Sequence, residues 1–204
     1  MKARNRVALL TTLSLVVLST VGADSKPEPS ATPALPPPSN GAISPQNMAD
    51  SLHVVIAADR EMYCRTYIAL QTGDSPSTDG SAGGKPGASW PSPCELLRRA
   101  AESTQSNGAE FSYALRSLNP IDPRNGPQTE LEQTGLAFIA SHPTQNYYGQ
   151  EMLGGRRYVT AVYPDLPAAT ACVACHNRRS PASSPRHQAG DVMGGIVVRV
   201  PLEF

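Results

Sequence analysis

From residue 46 onward, apolar side chains recur at helical spacing. Met48, Leu52, Val55, Ile56, Met62, Tyr63 and Leu70 fall on one side of a 3.6-residue repeat, which predicts a helix over about 46–71. Ser44-Pro45 supplies its start, a capping hydroxyl followed by proline at the first helical position. Leu96, Leu97 and Ala100 predict a second helix over 94–106, opened by Pro93. The stretch between them is Gly, Ser, Pro and Asp, which predicts a flexible insertion over 73–92. Phe111–Leu118 alternates and reads as a strand, and the prolines between Asn119 and Pro127 interrupt any regular element. Thr129 with Glu132 has the form of a capping box, opening a helix to about Ala140. Asn146–Leu153 and Arg156–Tyr163, joined through Gly154-Gly155, predict a β-hairpin. Asp191–Val200 predicts a closing strand ended by Pro201, with Gly194 and Gly195 marking a bulge or a close approach to a ligand. The fold class expected is α+β, a small antiparallel sheet with helices against it.

The first 44 residues have a different character. Lys2, Arg4 and Arg6 precede a short apolar run, Val7 to Val21, that ends in Val21-Gly22-Ala23. This is the form of a cleavable signal peptide over 1–23. The run is too short and too diluted by Thr and Ser for a spanning helix, which needs about 20 apolar residues. Residues 24–44 are rich in Pro, Ser and Ala and read as a disordered tether, leaving 45–204 as one domain. A periplasmic or secreted protein, with no membrane span after cleavage, is the expectation. Lys plus Arg and Asp plus Glu both number 17, so charge offers no ground for a nucleic-acid partner.

Four cysteines in an exported chain each need an explanation. Cys172-Val-Ala-Cys175-His176 has the C-x-x-C-H spacing. Two thiols so placed can each add to a haem vinyl group, and the next His becomes the proximal iron ligand. A zinc site would need a second pair of ligands, and Cys64 and Cys94 stand far apart in sequence. A thioredoxin-like dithiol expects a βαβ setting, and a bridge across two residues is strained. One covalent haem c, held by Cys172, Cys175 and His176, is therefore predicted. Arg178, Arg179 and Arg186 follow closely and could pair with the propionates, or simply form a solvated basic loop. Tyr158, Val162 and Tyr163 are candidates for the haem face or for ordinary core.

Several segments carry a resemblance: Phe111-Ser-Tyr-Ala-Leu-Arg-Ser-Leu-Asn-Pro120, Glu130–Leu136, Tyr163-Pro-Asp165, Ala171–Asn177, Ser184-Pro-Arg186 and Gly190–Gly195. Over roughly Ala49 to Leu202 the chain resembles the bacterial periplasmic c-type haem domains of PAS-like fold, found as stand-alone secreted chains and as sensor-kinase input domains. The resemblance implies a PAS-like sheet and one covalent haem. The chain departs from that pattern where Arg178, Arg179 and Ser180 follow the motif in place of a second His, at His187, and at Cys64 and Cys94.

In at least one branch of that family the sixth iron ligand is a Cys thiolate, which brings Cys64 and Cys94 into contention. Leftover cysteines in an exported domain more often pair, so a Cys64–Cys94 disulfide is the expected state. The other candidates are His187, His142, Met193 and Met62, or an open site. Met62 and Met193 can equally be packing, and His53 and His142 plain surface. A redox or gas-sensing module is the leading expectation, with a small gas or a redox partner protein as its counterpart. An electron-transfer cytochrome is the alternative. Catalysis has only the thin hint of His187 beside Arg186, and no catalytic residue is assigned.

Overall fold

The computed structural model describes residues 43–72 and 90–203, which belong to one compact unit. The predicted signal peptide at 1–23, nearly all of the tether at 24–44 and most of the insertion at 73–92 lie outside the described residues. Four helices and four strands follow in the order α1 (Pro45–Thr72), α2 (Pro93–Ser106), β1 (Ser112–Arg116), α3 (Glu130–Ser141), β2 (Tyr147–Leu153), β3 (Arg156–Asp165), α4 (Thr170–Arg179) and β4 (Gly194–Pro201). The class is α+β.

The strands form one antiparallel sheet in the order β1-β4-β3-β2. Every residue of β4, the inner strand that finishes the chain, is buried. Its Val and Ile content suits that place, because it is covered on both faces. Ile196, Val198 and Val200, with Ala161 and Tyr163 of β3 and Leu115 of β1, pack against Ala49, Ile56 and Leu97 of α1 and α2. Val197 and Val162 point the other way, to Leu136 and Ile139 of α3. Burying each such side chain stabilises the fold by roughly 1.5–3 kcal/mol.

Local chemistry explains most of the element ends. Ser92 accepts from the Glu95 N–H at the start of α2, and Thr129 from the Glu132 N–H at the start of α3. The Glu132 carboxylate reaches back to the Gln128 N–H rather than to its own cap residue. Gly154 and Gly155 turn the β2–β3 hairpin with positive φ of 57° and 81°, the backbone that a tight two-residue turn requires.

Four expectations change. The segment carrying the C-x-x-C-H motif is a helix, α4, which the hydrophobic pattern did not reveal. Pro201 is the last residue of β4, opposite Tyr158, rather than a residue beyond it; it has no N–H to pair, so it stands at a strand end. Gly194 and Gly195 open β4 without a bulge; both lie close against protein, and Gly194 also lines a pocket. A Cβ on Gly194 would lie 2.5 Å from the Arg116 carbonyl oxygen, and one on Gly195 2.9 Å from Leu136 and Ile139. The apolar side of α1 is narrower than predicted. Met48, Leu52 and Ile56 pack on the sheet, whereas Val55 is exposed and Met62 is 71% exposed.

Candidate functional site

A pocket of about 530 Å³ is walled by α1, α2 and α4, by the end of β1, and by the residues that lead into β4. Its size falls within the ~300–1,000 Å³ typical of small-molecule and cofactor sites.

Helix α4 brings the motif to this pocket. Cys172, Cys175 and His176 all line it, as positions three and four apart on one side of a helix can. No residue of α4 is fully buried, so the helix contributes the pocket wall rather than core. His176, Arg178 and Arg179 occupy its last turn, where cations suit the carbonyl end. Burial, helped by the nearby His187, holds the His176 imidazole below its ordinary pKa. It is therefore neutral, the form that binds a metal. Asn177 fastens the loop that follows: its side-chain amide donates to the His187 carbonyl and accepts from the His187 N–H, both at 2.9 Å.

The second half of α1 presents Arg60, Cys64, Tyr67 and Ile68 to the same pocket, a stripe at helical spacing. Arg60 Nη2 donates to Asp165 Oδ2 at 2.7 Å, and Arg60 Nη1 approaches Cys64 Sγ at 3.8 Å. Arg60 Nε is buried without a hydrogen-bond partner. Burial opposes the charge on Arg60, but Asp165 and the surrounding thiols raise its pKa. Burial also pushes the Asp165 carboxyl up, and Arg60 works against that shift.

All four cysteines are free thiols and all four line the pocket. The expected Cys64–Cys94 disulfide is therefore not formed here. Cys64 is only 2% exposed. Burial pushes its thiol up to about 11, with Arg60 opposing. Burial raises Cys94 as well. Among the described residues no three His, Cys, Asp or Glu side chains converge so as to hold a bare metal ion.

The remaining candidates separate. Arg179 and Met193 line the pocket, whereas Arg178, Arg186 and His187 are not among its lining residues. Arg186 donates to the Asn177 carbonyl instead. His142 is exposed and stacks on Phe138, with centroids 4.4 Å apart. Tyr163 and Val162 are core residues on opposite faces of the sheet, and Tyr158 is not in the pocket wall. His53 is not plain surface: its ring lies flat on Tyr163, with centroids 3.9 Å apart and planes at 5°.

Sequence reasoning missed Arg60, Asp165 and Arg116, which also lines the pocket. The signal for Arg60 was its place four residues before Cys64 on one helix face. Asp165 lay just past the predicted end of its strand, and its only signal was its place in the Tyr163-Pro-Asp165 segment of the resemblance. Among the described residues no helix is long and apolar enough to cross a membrane.

Comparison with known proteins places this sequence in a family. No curated protein matches the chain. Among solved structures, that of the cyanobacterial heme-protein Tll0287 is similar, with 21% identity and a TM-score of 0.44, over 74% of this chain and 94% of that one. The sequence profile described as Tll0287-like matches residues 39–201, most of the chain, and the chain belongs to the Tll0287-like family.

Proposed function

We propose that this pocket holds one haem c, joined by thioether bonds to Cys172 and Cys175, with His176 as the proximal iron ligand, and that the domain is a redox or small-ligand sensing module. One observation carries the reading: both motif thiols and the motif imidazole line a single pocket of cofactor size. The donor set fits the group, with two thiols for the vinyl positions, a neutral imidazole for the iron and cations for the propionates. The family also takes its name from a cyanobacterial heme-protein.

The bound group would supply an iron centre able to change oxidation state or take a small ligand. The chain's own residues do the rest. His176 is kept neutral by burial. Arg179 is the one arginine of the three expected to serve the propionates that stands at the pocket. Cys64, Cys94 and Met193 are the sulfur donors available for a sixth position, and His187 is not among the pocket residues. On this reading residues 1–23 export the chain, 24–44 tether it, and 45–204 form the PAS-like haem domain in the periplasm or outside the cell.

The test uses full-length protein exported in a host with c-type maturation. Intact mass under denaturing conditions is expected to show one retained haem. On the same sample, a reduced protein that takes up carbon monoxide or nitric oxide supports sensing. A haem that refuses both gases and exchanges electrons quickly makes the protein an electron carrier instead. A mass without haem, where a control cytochrome matures, overturns the assignment of Cys172, Cys175 and His176.

A further inference from the structure

Resting on that haem reading, we propose that the buried Arg60–Asp165 ion pair in the pocket wall tunes the reduction potential of the bound cofactor, Arg60 favouring the reduced form and Asp165 the oxidised one. Both side chains line the pocket. Arg60 comes from α1 and Asp165 from the last position of β3. Other charges stand at the same wall but are placed differently. Arg116 turns its guanidinium toward Glu132, which is not a pocket residue. Arg98 and Glu95 pair with each other in a more exposed setting, where water and salt screen them. Among the described residues, Arg60 and Asp165 are the ion pair that has both members in the pocket wall and is shielded from solvent. Charge acts most strongly where water is excluded.

The two charges do not cancel at the pocket. Arg60 Nη2 is occupied by Asp165, but Nη1 stands 3.8 Å from Cys64 Sγ, a sulfur available to the sixth iron position. Arg60 Nε has no hydrogen-bond partner among the described residues. A guanidinium keeps its charge at any ordinary pH. Asp165 is held in place by its backbone: it lies opposite Gly194 in the sheet, and its carbonyl accepts the Met193 N–H at 3.0 Å. Both charges are thus positioned before any electron arrives.

Reduction of ferric to ferrous iron takes one electron from a donor and adds one negative charge to the pocket; no bond to the pair forms or breaks. A nearby cation favours that uptake and a nearby anion opposes it. Donation from Arg60 to a sulfur that binds the iron would act in the same direction as its charge, because it draws electron density from the sulfur.

The experiment titrates the haem-bearing, full-length protein and its variants at an optically transparent electrode, and reads the ferric-to-ferrous ratio at one fixed potential. Arg60→Gln is expected to raise that ratio about tenfold and Asp165→Asn to lower it about tenfold, each a shift of about 59 mV for one electron. The double variant is expected between the two. Opposite signs are the mark of charge, since a loosened pocket admits water to the iron and moves both variants the same way. Arg60→Lys keeps the cation and is expected closer to the parent than Arg60→Gln, a comparison that stands even where Asp165→Asn fails to fold. Unchanged ratios, shifts of one sign in both single variants, or a Lys variant that shifts as far as the Gln variant overturn the role of the pair and leave the haem reading intact. A parent chain without haem overturns both.

Discussion

Arg60 on α1 and Asp165 at the end of β3 form an ion pair at 2.7 Å, 105 positions apart in the chain, with side chains 12% and 9% exposed. It joins the helix that carries Cys64 to the strand that leads toward α4. Removing one member of such a pair leaves the other buried and uncompensated, which costs about 3–5 kcal/mol. Asp165→Ala is expected to lose stability on that scale in urea unfolding. The double variant Arg60→Met with Asp165→Leu is expected to lose less than Asp165→Ala alone. A double variant that loses the sum of both single changes would show that the pair's value is not electrostatic.

A second charged cluster lies at the α3 side of the sheet. Glu132 is wholly buried and accepts from Arg199 at 2.7 Å and from Arg116 at 3.3 Å. Arg199 also donates to Glu151 at 2.7 Å, and Thr160 donates to the same Glu151 oxygen at 2.6 Å. Burial works against the Glu151 charge, but these two donors hold its carboxyl below its ordinary range. Glu132→Ala is expected to cost about 3–5 kcal/mol because it takes from Arg116 its carboxylate and leaves Arg199 with Glu151 alone. Glu151→Ala leaves Arg199 still paired with Glu132 and is expected to cost less. Thermal unfolding of the two variants ranks them.

Much of this fold was legible before any coordinates. Local capping and turn chemistry marked Ser92 poorly but Thr129, Gly154 and Gly155 well, and the hairpin emerged because alternation and turn residues agree there. α4 was not legible, because it buries no residue of its own against the sheet and so shows no apolar period. The motif's thiols and imidazole stood out by their spacing alone, and the structure brings all three to one pocket. Arg60 and Asp165 did not, because their pairing exists only once β3 and α1 meet. Met62 misled for the converse reason: helical spacing reports which side is apolar, but not where along a 28-residue helix the sheet stops.

Gly194 and Gly195 test why β4 opens as it does. The neighbour of a Gly194 Cβ would be backbone, the Arg116 carbonyl oxygen at 2.5 Å, whereas Gly195 would meet side-chain ends of Leu136 and Ile139. Overpacking of this kind costs about 1–3 kcal/mol. Gly195→Ala is expected near the lower end, with Leu136 and Ile139 shifting. Gly194→Ala is expected to cost more and to weaken β1–β4 pairing, read as faster amide exchange at Leu115 and Arg116. Equal costs would mean that β1 moves as easily as a leucine side chain.

The buried Cys64 thiol gives a pH dependence with a definite sign. Burial raises it from 9.0 to about 11. Below pH 9 both folded and unfolded chains hold the proton, and the thiol leaves stability unchanged. Between pH 9 and about 11 the unfolded chain releases it first, so folding stability falls across that window. Tyr163, also pushed up by burial and by its bond to Asp50, adds to the fall. In the unloaded chain, Cys64→Ala is expected to flatten the decline in denaturant midpoint over this range. An unchanged slope would place the whole effect on other groups.

The two motif cysteines should separate from the fold altogether. Because α4 has no fully buried residue, Cys172→Ala and Cys175→Ala should each change the stability of the unloaded chain by less than about 0.5 kcal/mol. Haem retention should change in steps. On the proposed attachment each single variant keeps one thioether and is expected to carry haem through a denaturing mass measurement at reduced yield, while the double variant loses it entirely. His176→Ala should leave both thioethers possible and alter the absorption spectrum instead of the mass. Among the neighbouring arginines, Arg179→Ala should lower the yield or shift the spectrum more than Arg178→Ala, since Arg179 alone of these two lines the pocket. A double cysteine variant that still retains covalent haem would mean that Cys64 or Cys94 can take the attachment, and that the four thiols of this pocket are chemically interchangeable.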